Sequence, residues 1–304
     1  MSKVRLGLYL VLGTAVISGF SVFLNSLAVK VIANSDVHTT AKNMVATLLL
    51  SLLIVTPLAI KKLMNLKLAD WLKLIIIGLI GGSIPFLLFF KAVSLTTAVN
   101  AGFIHKTLFI WVSLLAIYFL KEKIGKWQYL ALFLLFIGNF VLAGCKFISL
   151  DYGALLALSA TLFWAVEFVL VKKWLSNIDS LVIGWGRMFF GSVFLAVYLL
   201  FIGQFNLLVS LNSFQWRWEL LLGILLAGYV ITWYRALSYL PAITAASVLV
   251  LASPLTTLLN TIFITKQINS VQALGVLLIL MAIGLISYPV LKTKYADCKS
   301  EQFI

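Results

Sequence analysis

The sequence predicts an all-α integral membrane protein whose ten transmembrane helices form two inverted five-helix repeats. Three observations lead to this prediction: an apolar composition, ten apolar tracts of membrane-spanning length, and similarity between the two halves. Of the 304 residues, 63% are apolar and 11% are charged, and the mean hydropathy is +1.12. A soluble domain is about 45–50% apolar and about 25% charged. The composition also excludes a disordered chain, which needs few apolar residues and many charges.

Ten apolar tracts follow one another along the chain. They are Leu6–Val29, Ala41–Ile60, Trp71–Phe90, Ala98–Leu120, Trp127–Cys145, Gly153–Val171, Leu181–Ile202, Leu220–Leu240, Ala245–Thr265 and Val271–Leu291. Each can cross a hydrocarbon core of ~30 Å as a helix. We expect helices throughout, because an open sheet would leave backbone groups unpaired in lipid. The first tract also resembles a signal peptide, but its apolar part exceeds the usual length of about 7–15 residues, so we interpret it as a retained helix.

The charges in the loops predict the orientation. With the N-terminus inside, fourteen basic residues fall on the cytoplasmic side, namely Lys3, Arg5, Lys61, Lys62, Lys67, Lys73, Lys121, Lys123, Lys126, Lys172, Lys173, Lys292, Lys294 and Lys299. The four on the opposite side are Lys30, Lys146, Arg217 and Lys266. Because cytoplasmic loops carry the excess of Lys and Arg, we expect a multi-pass protein of the plasma (inner) membrane with both termini in the cytoplasm. The same loops explain the formal charge of +14 without a nucleic-acid partner.

The two halves match when one is shifted by about 145 residues. The matched positions are Phe90–Ser94 with Tyr234–Ser238, Gln128 with Gln272, Lys42 with Arg187, and Gly7 with Gly153. Since each half holds an odd number of spans, the second half is inserted in the opposite sense. We therefore predict inverted repeats over residues 1–148 and 149–292, followed by a cytoplasmic tail, 293–304. Inverted repeats are typical of secondary transporters, which hold their substrate at the repeat interface.

Several short motifs follow one another in a characteristic order across the two halves. They are Phe119-Leu120-Lys121-Glu122-Lys123 followed by Gln128 and Gly138, then Gly153–Leu158 leading to Phe163-Trp164-Ala165, and Arg187-Met188-Phe189. With these motifs the chain resembles the ten-helix, EamA-type members of the drug/metabolite transporter superfamily. Two departures stand out: Lys266 occupies the place of the glutamate matched by Glu122, and the fourth span lacks its usual proline.

The resemblance implies secondary transport of small metabolites such as amino acids, often outward. It also implies a central cavity lined mainly by the first, third, fourth, sixth, eighth and ninth helices. No phosphate-binding loop of the GxxxxGK[ST] type occurs in the sequence, so ATP-driven transport within this chain is excluded. We expect no cofactor and no metal site, because the two cysteines and two histidines show no ligand spacing. We expect no enzyme activity, because no paired carboxylates and no Ser/His/Asp arrangement occur at matching depths.

Embedded charges are the sharpest signal of function, because a charge at the centre of a span costs ~2.5–3.5 kcal/mol and therefore faces a cavity or a partner. Among the nine acidic residues, only Glu167 is expected inside a span. It is a candidate for binding a proton or a substrate ammonium group. Alternatively, Glu167 forms a fixed ion pair with Arg187 on the next helix. The two interpretations are compatible if substrate competes for the pair.

Four further residues are candidates for contact with substrate. Lys106 lies about eight residues into the fourth span, too deep for its charge to reach the headgroups easily. His105 could titrate near neutral pH or serve as a packing residue, and as a neighbour of Lys106 it is not expected to point squarely into the same cavity. Trp164 and Tyr234 could clamp the apolar body of a substrate or a cation, although packing explains most aromatic residues.

The remaining embedded cations predict two cavity entrances. Lys42 and Lys91 are expected toward the outer ends of their spans, and their repeat mates Arg187 and Arg235 toward the inner face. A twofold axis in the membrane plane would place one basic pair near each mouth of a shared cavity, where it would attract an anionic substrate. Extension of the side chains toward the headgroups is the alternative.

These observations predict an exporter of small polar, amino-acid-like metabolites that works by alternating access of the two repeats. Proton coupling through Glu167 is one hypothesis for its energy source. An exchanger of phosphorylated or nucleotide-linked metabolites is the alternative within transport, given the excess of embedded cations. A non-transporting membrane scaffold and a membrane-embedded or lipid-handling enzyme are the alternatives outside it.

Overall fold

The computed structural model describes residues 2–145, 149–267 and 269–300 of the chain. The helices of the first half are α1 (Lys3–Ala28), α2 (Ser35–Ile54), α3 (Pro57–Met64), α4 (Leu68–Ile80), α5 (Ile84–Leu95), α6 (Ala98–Lys106), α7 (Leu108–Leu120) and α8 (Lys126–Leu142). The second half forms α9 (Tyr152–Trp174), α10 (Ser180–Phe201), α11 (Phe205–Val209), α12 (Ser213–Tyr239), α13 (Ala242–Leu249), α14 (Ala252–Asn260), a π-helical turn (Thr261–Thr265) and α15 (Ser270–Ser300). Lys146, which was counted with the outer loops, and residues 301–304 of the predicted tail lie outside the described residues.

The ten predicted spans are confirmed as helical segments. Nine of them, within the described part of the chain, are long and apolar enough to cross a membrane. The fifth, α8, has 17 residues, which is at the lower limit of about 17–25 for a span. Three spans consist of two helices: the third is broken at residues 81–83, the fourth at Thr107, and the ninth at Val250 and Leu251. The fourth span is thus broken without the proline that its family pattern would supply.

Two spans begin more than a turn and a half earlier than their apolar tracts predict. α2 starts at Ser35 because the Asn34 side chain accepts hydrogen bonds from the backbone N–H groups of Asp36 and Val37. α12 starts at Ser213 because Asn212 accepts from the Gln215 N–H group and the Gln215 side chain accepts from the Asn212 N–H group. Such caps satisfy the free N–H groups of a first turn. Because of each cap, polar residues that were expected at the end of a span lie inside a helix.

The packing of the helices follows the inverted repeat. α1 packs on α12, as α9 packs on α5, and α2 packs on α12, as α10 packs on α4. Equivalent helices also pack on each other, α2 on α10 and α8 on α15. The repeat mates Gly7 and Gly153 mark corresponding contacts: Gly7 lies against Leu240, and Gly153 against Thr96, too closely for a Cβ atom at either glycine. The fold is therefore a pair of inverted five-helix repeats.

The ends of the fourth and ninth spans correct one detail of the sequence comparison. Lys121 follows α7 with a left-handed φ of 56°, and Lys266 follows the π-helical turn with a φ of 55°. Both act as C-caps of their helices. Lys266 therefore corresponds to Lys121 and not to Glu122, whose carboxylate instead accepts hydrogen bonds from the Ala242 and Ile243 N–H groups at the start of α13.

Candidate functional site

A cavity of about 350 Å³ lies between the two repeats. Its wall is formed by α1, α2, α5, α6, α7, α9, α10, α12, α13 and α14, so that it includes all six spans that the resemblance implies, together with the second and seventh. α8 and α15, which pack on each other, contribute no residue to it. A cavity of this size, between elements that can move against each other, is suited to a small-molecule ligand.

Three cations, Lys42, Lys106 and Arg187, line this cavity, and no carboxylate is among the described residues that do so. Lys42 and Arg187 are each only 6% exposed. Glu167 lies behind Arg187, and Glu219 lies near Lys42; neither carboxylate lines the cavity. Lys106, by contrast, forms no ion pair with any residue that the structure describes. The cavity therefore presents a net positive charge.

The arginine cluster consists of Glu167, Arg187, Tyr234 and the carbonyl group of Gly81. Arg187 Nε lies 3.6 Å from Glu167 Oε1, and the Tyr234 hydroxyl donates to the same carboxylate oxygen. The other end of the guanidinium donates to the Gly81 carbonyl at 2.8 Å. Glu167 is fully buried and Tyr234 is 1% exposed; neither lines the cavity. They lie behind Arg187 and hold its guanidinium in place.

Gly81 takes part in this cluster because the third span is broken there. The Gly81 carbonyl also accepts a hydrogen bond from Trp164 Nε1 at 3.1 Å, so that one carbonyl joins α9 and α10 to the break. A Cβ atom on Gly81 would lie 2.5 Å from Glu167 Cγ. Only glycine leaves room for the buried carboxylate, since a hydrogen atom replaces the Cβ.

The lysine cluster consists of Asn25, His38, Lys42 and Glu219, of which the sequence analysis selected only Lys42. Lys42 Nζ donates to Asn25 Oδ1 at 2.9 Å and lies 5.4 Å from the centre of the Phe90 ring. His38 Nδ1 is 2.8 Å from Glu219 Oε1, and both side chains are fully buried. The expectation that Glu167 is the only embedded acid is therefore wrong. Glu219 was expected at a span end, but α12 begins at Ser213, two turns before it.

Asn212 and Gln215 were the signal that could have located Glu219. They form a capping box that begins seven residues upstream of it, and such a box marks the start of a helix. Asn34 is the corresponding signal for Lys42, which lies two turns inside α2 and not at its outer end. His38 and Asn25 carried no such signal, because their roles depend on contacts between α1, α2 and α12 that only the tertiary structure makes.

His105 and Lys106 both line the cavity, although the two neighbours were not expected to point squarely into it together. α6 ends at Lys106, and the cavity borders the end of this helix, where adjacent side chains can both reach it. The His105 ring packs against Trp164 and Phe89, with centroid distances of 4.7 and 5.2 Å. His105 Nδ1 has no hydrogen-bond partner among the described residues.

Lys91 and Arg235, the predicted entrance residues, are exposed on their helices and do not line the cavity. The other pair of repeat mates, Lys42 and Arg187, does line it. Trp164 lines the cavity as well, and Tyr234 does not. The structure thus brings five of the nine candidates to the cavity wall: Lys42, His105, Lys106, Trp164 and Arg187. The role of Lys91 and Arg235 at an entrance stays a prediction.

Comparisons with known proteins agree with this architecture. The model of the EamA-like transporter family matches the chain twice, over residues 5–144 and 151–288. Among solved structures, one described only as "Crystal structure of protein" superimposes with a TM-score of 0.73 over 93% of this chain and 97% of its own, at 16% sequence identity. At that identity the likeness shows the fold alone. A search of curated proteins finds no match.

Proposed function

This chain belongs to the EamA-like transporter family, and from that premise we propose that it is a secondary transporter of small, carboxylate-bearing, amino-acid-like metabolites. Lys106 is the observation that carries the proposal. It is a cation without an ion-pair partner among the described residues, on the wall of a cavity between two inverted repeats. Lys106 is half-buried, where an uncompensated positive charge is costly, and an anionic group of a substrate would offset that cost.

The aromatic residues support a substrate with an apolar body. Phe86, Phe89, Trp164 and Tyr229 line the cavity together with the cations. Trp164 packs on both phenylalanines, with centroid distances of 5.3 Å to Phe86 and 5.8 Å to Phe89, so these three rings form a continuous wall. A substrate carboxylate at Lys106 would place its apolar part against this wall. No catalytic step is part of the proposal.

The inverted repeats support alternating access as the mechanism. In such proteins the halves exchange conformations, and the substrate site opens first to one side of the membrane and then to the other. Outward transport and cytoplasmic termini in the plasma membrane remain part of the proposal, on the ground of the family resemblance and the loop charges.

An exchanger of phosphorylated metabolites is the second candidate. Three cations line the cavity without an accompanying carboxylate among the described lining residues, and phosphate groups need more positive charge than a single carboxylate does. The apolar wall and the cavity volume favour the first candidate, because both limit the space for a hydrated sugar phosphate.

Counterflow into proteoliposomes tests the two candidates side by side. Purified protein is reconstituted, vesicles are loaded with one unlabelled compound, and entry of the same compound in radiolabelled form is followed for a panel of amino acids and sugar phosphates. We expect counterflow of apolar or aromatic amino acids and a large loss in the variant Lys106→Gln. The matched control is Lys123→Gln, which removes an exposed charge outside the helices. Counterflow of sugar phosphates alone would favour the exchanger, and no counterflow at all would contradict both.

A further inference from the structure

The His38–Glu219 pair of the lysine cluster is buried between α2 and α12 and does not line the cavity. His38 makes a second contact on the other side of its ring, where Nε2 lies 2.9 Å from Asn25 Oδ1. Lys42 donates to the same Asn25 oxygen and reaches the cavity. One chain of polar groups therefore leads from the cavity through Lys42 and Asn25 to the buried pair.

The contacts of Asn25 determine which nitrogen of His38 carries a hydrogen. Asn25 Nδ2 donates to the Ser21 carbonyl at 2.7 Å, so its Oδ1 atom faces the other way, toward Lys42 and His38. Because the ammonium group of Lys42 has only donors, the atom that faces it must be the amide oxygen. An oxygen accepts, and His38 Nε2 must therefore be the donor.

With Nε2 protonated, the contact between His38 Nδ1 and Glu219 Oε1 requires one more proton. At 2.8 Å, a bare nitrogen lone pair and a carboxylate oxygen would be two acceptors in contact. The proton lies either on the imidazole, as an imidazolium facing a carboxylate, or on the carboxyl group, as a donor to a neutral imidazole. In both cases the pair binds a single exchangeable proton and is neutral as a whole.

We propose that the His38–Glu219 pair is the binding site of the coupling proton of this transporter, an inference that rests on the proposed function. Glu167 is less suited to this role, because both contacts of its Oε1 atom are with donors, Arg187 and Tyr234, and require no added proton. The two sites are also on different helices, since His38 and Glu219 are on α2 and α12 and Glu167 is on α9.

The charged group that faces the pair is Lys42. From α1 the pair meets the neutral amide of Asn25, and from α5 it meets the ring of Phe90, 6.4 Å from the His38 ring. Asp36, also on α2, interacts with Lys91 and Tyr198, and Arg217 on α12 is exposed. Lys42 opposes the proton by charge repulsion. A substrate anion in the cavity near Lys42 weakens that repulsion, so anion and proton bind cooperatively and cross the membrane in the same direction. Export is then driven by the outward gradient of the substrate itself, whereas an inward proton gradient drives uptake.

Histidine NMR tests the proton site without any substrate. The chain contains two histidines, so ¹⁵N-histidine labelling of the full-length protein gives two sets of ring signals, and the variant His105→Phe identifies those of His38. We expect a protonated Nε2 and an Nδ1 signal that shifts when the pH is raised and the shared proton leaves. The variant Glu219→Gln replaces the carboxyl group by an amide that does not titrate, and the pH-dependent shift of the Nδ1 signal is expected to be lost. Glu167→Gln is the matched control and retains it.

The proposal is overturned if the chemical shift of His38 Nδ1 does not change with pH in the unmodified protein. It is also overturned if the shift still changes with pH in Glu219→Gln. Because the measurement needs no transport, it decides the question even where a variant is inactive.

Transport under a pH gradient gives the second test. The ratio of uptake rates with and without an inward proton gradient is measured within each variant, with the amino acid that shows counterflow as the probe. We expect a ratio above one in the unmodified protein and a ratio of one in Glu219→Gln. Counterflow with a ratio of one in the unmodified protein overturns the proton site alone. Absence of counterflow for every compound of the panel overturns the proposed function instead.

Discussion

Thr47 on α2 and Ser192 on α10 share a hydrogen bond of 2.8 Å, and they lie 145 residues apart in the sequence. The same offset relates Lys42 to Arg187. Repeat mates that touch must lie close to the axis that relates the repeats. α2 and α10 run antiparallel there, because Ser51 bonds Trp185 on one side of this contact and Asn34 bonds Gln204 on the other.

The position of this axis explains why the two clusters are separate. Lys42 and Arg187 each precede the axial residue of their helix by five positions, which is about 7.5 Å along a helix. Since the helices are antiparallel, these steps go in opposite directions. The arginine cluster and the lysine cluster therefore lie on opposite sides of the membrane midplane, with the cavity in contact with both.

Cross-linking Thr47 to Ser192 is expected to leave transport intact. When the repeats exchange conformations, a pair of repeat mates maps onto itself, so its distance is the same in both states. The cysteine pair Thr47→Cys/Ser192→Cys, in a background with Cys145→Ser and Cys298→Ser, is oxidised and assayed by counterflow, with each single cysteine variant as control. A loss of counterflow on oxidation that a reductant restores would show that α2 and α10 separate during the cycle.

Removing Arg187 alone is expected to destabilise the protein more than removing its ion pair. Arg187→Gln leaves Glu167 buried without a cation, and breaking a buried pair in this way costs about 3–5 kcal/mol. The double variant Arg187→Gln/Glu167→Gln removes both charges and is expected to recover much of the lost stability. Thermal unfolding of the purified proteins measures the difference. Equal melting temperatures for the single and the double variant would contradict the pairing.

Gly81→Ala is expected to lower both the melting temperature and counterflow. The new Cβ atom would lie 2.5 Å from Glu167 Cγ and 2.8 Å from its Cδ, so either the carboxylate or the helix break must move, and Arg187 loses a partner in both cases. The matched control is Gly13→Ala, since a Cβ atom at Gly13 meets nothing within 4 Å. If the two alanine variants behave alike, the break at Gly81 does not position the cluster.

Asp151, which lies just before α9 and outside the spans, is expected to make stability sensitive to acid. The Ala154 N–H group donates to it at 2.7 Å, and Ser149 and Thr96 donate through their hydroxyls at 2.8 Å. These donors, the Ala154 amide first, hold the pKa of Asp151 below its ordinary value of 3.8. A carboxyl group with a lowered pKa stabilises the fold above the ordinary value, and this contribution is lost as the pH falls through the lowered one.

The variant Asp151→Asn measures this contribution. At neutral pH it is expected to melt at a lower temperature than the unmodified protein, and the difference should narrow as the pH falls below about 3.8. Melting curves over a pH series provide the comparison. A difference that stays constant with pH would assign the effect to the cap geometry and not to the charge.

Much of the candidate site could be predicted from isolated residues, because an embedded cation is conspicuous in an apolar chain. Lys106 and Arg187 were identified in this way, and both line the cavity. Glu219 was expected at a span end, since the apolar tract begins directly after it and the tract was taken as the helix. Lys91 and Arg235 lie at equivalent repeat positions, but sequence equivalence does not say which face of a helix meets the cavity.

The sequence by itself determined that the chain is a ten-span membrane protein with an internal inverted repeat. A helix that crosses the lipid core needs a continuous apolar stretch, and such stretches can be read directly from the sequence. An odd number of spans in the first half then places the second half in the membrane in the opposite orientation. Only the tertiary structure decided which charges are partners. Arg187 with Glu167, and Glu219 with His38, come from different helices, and their pairing depends on helix rotation and on the break at Gly81, neither of which apolar length can specify.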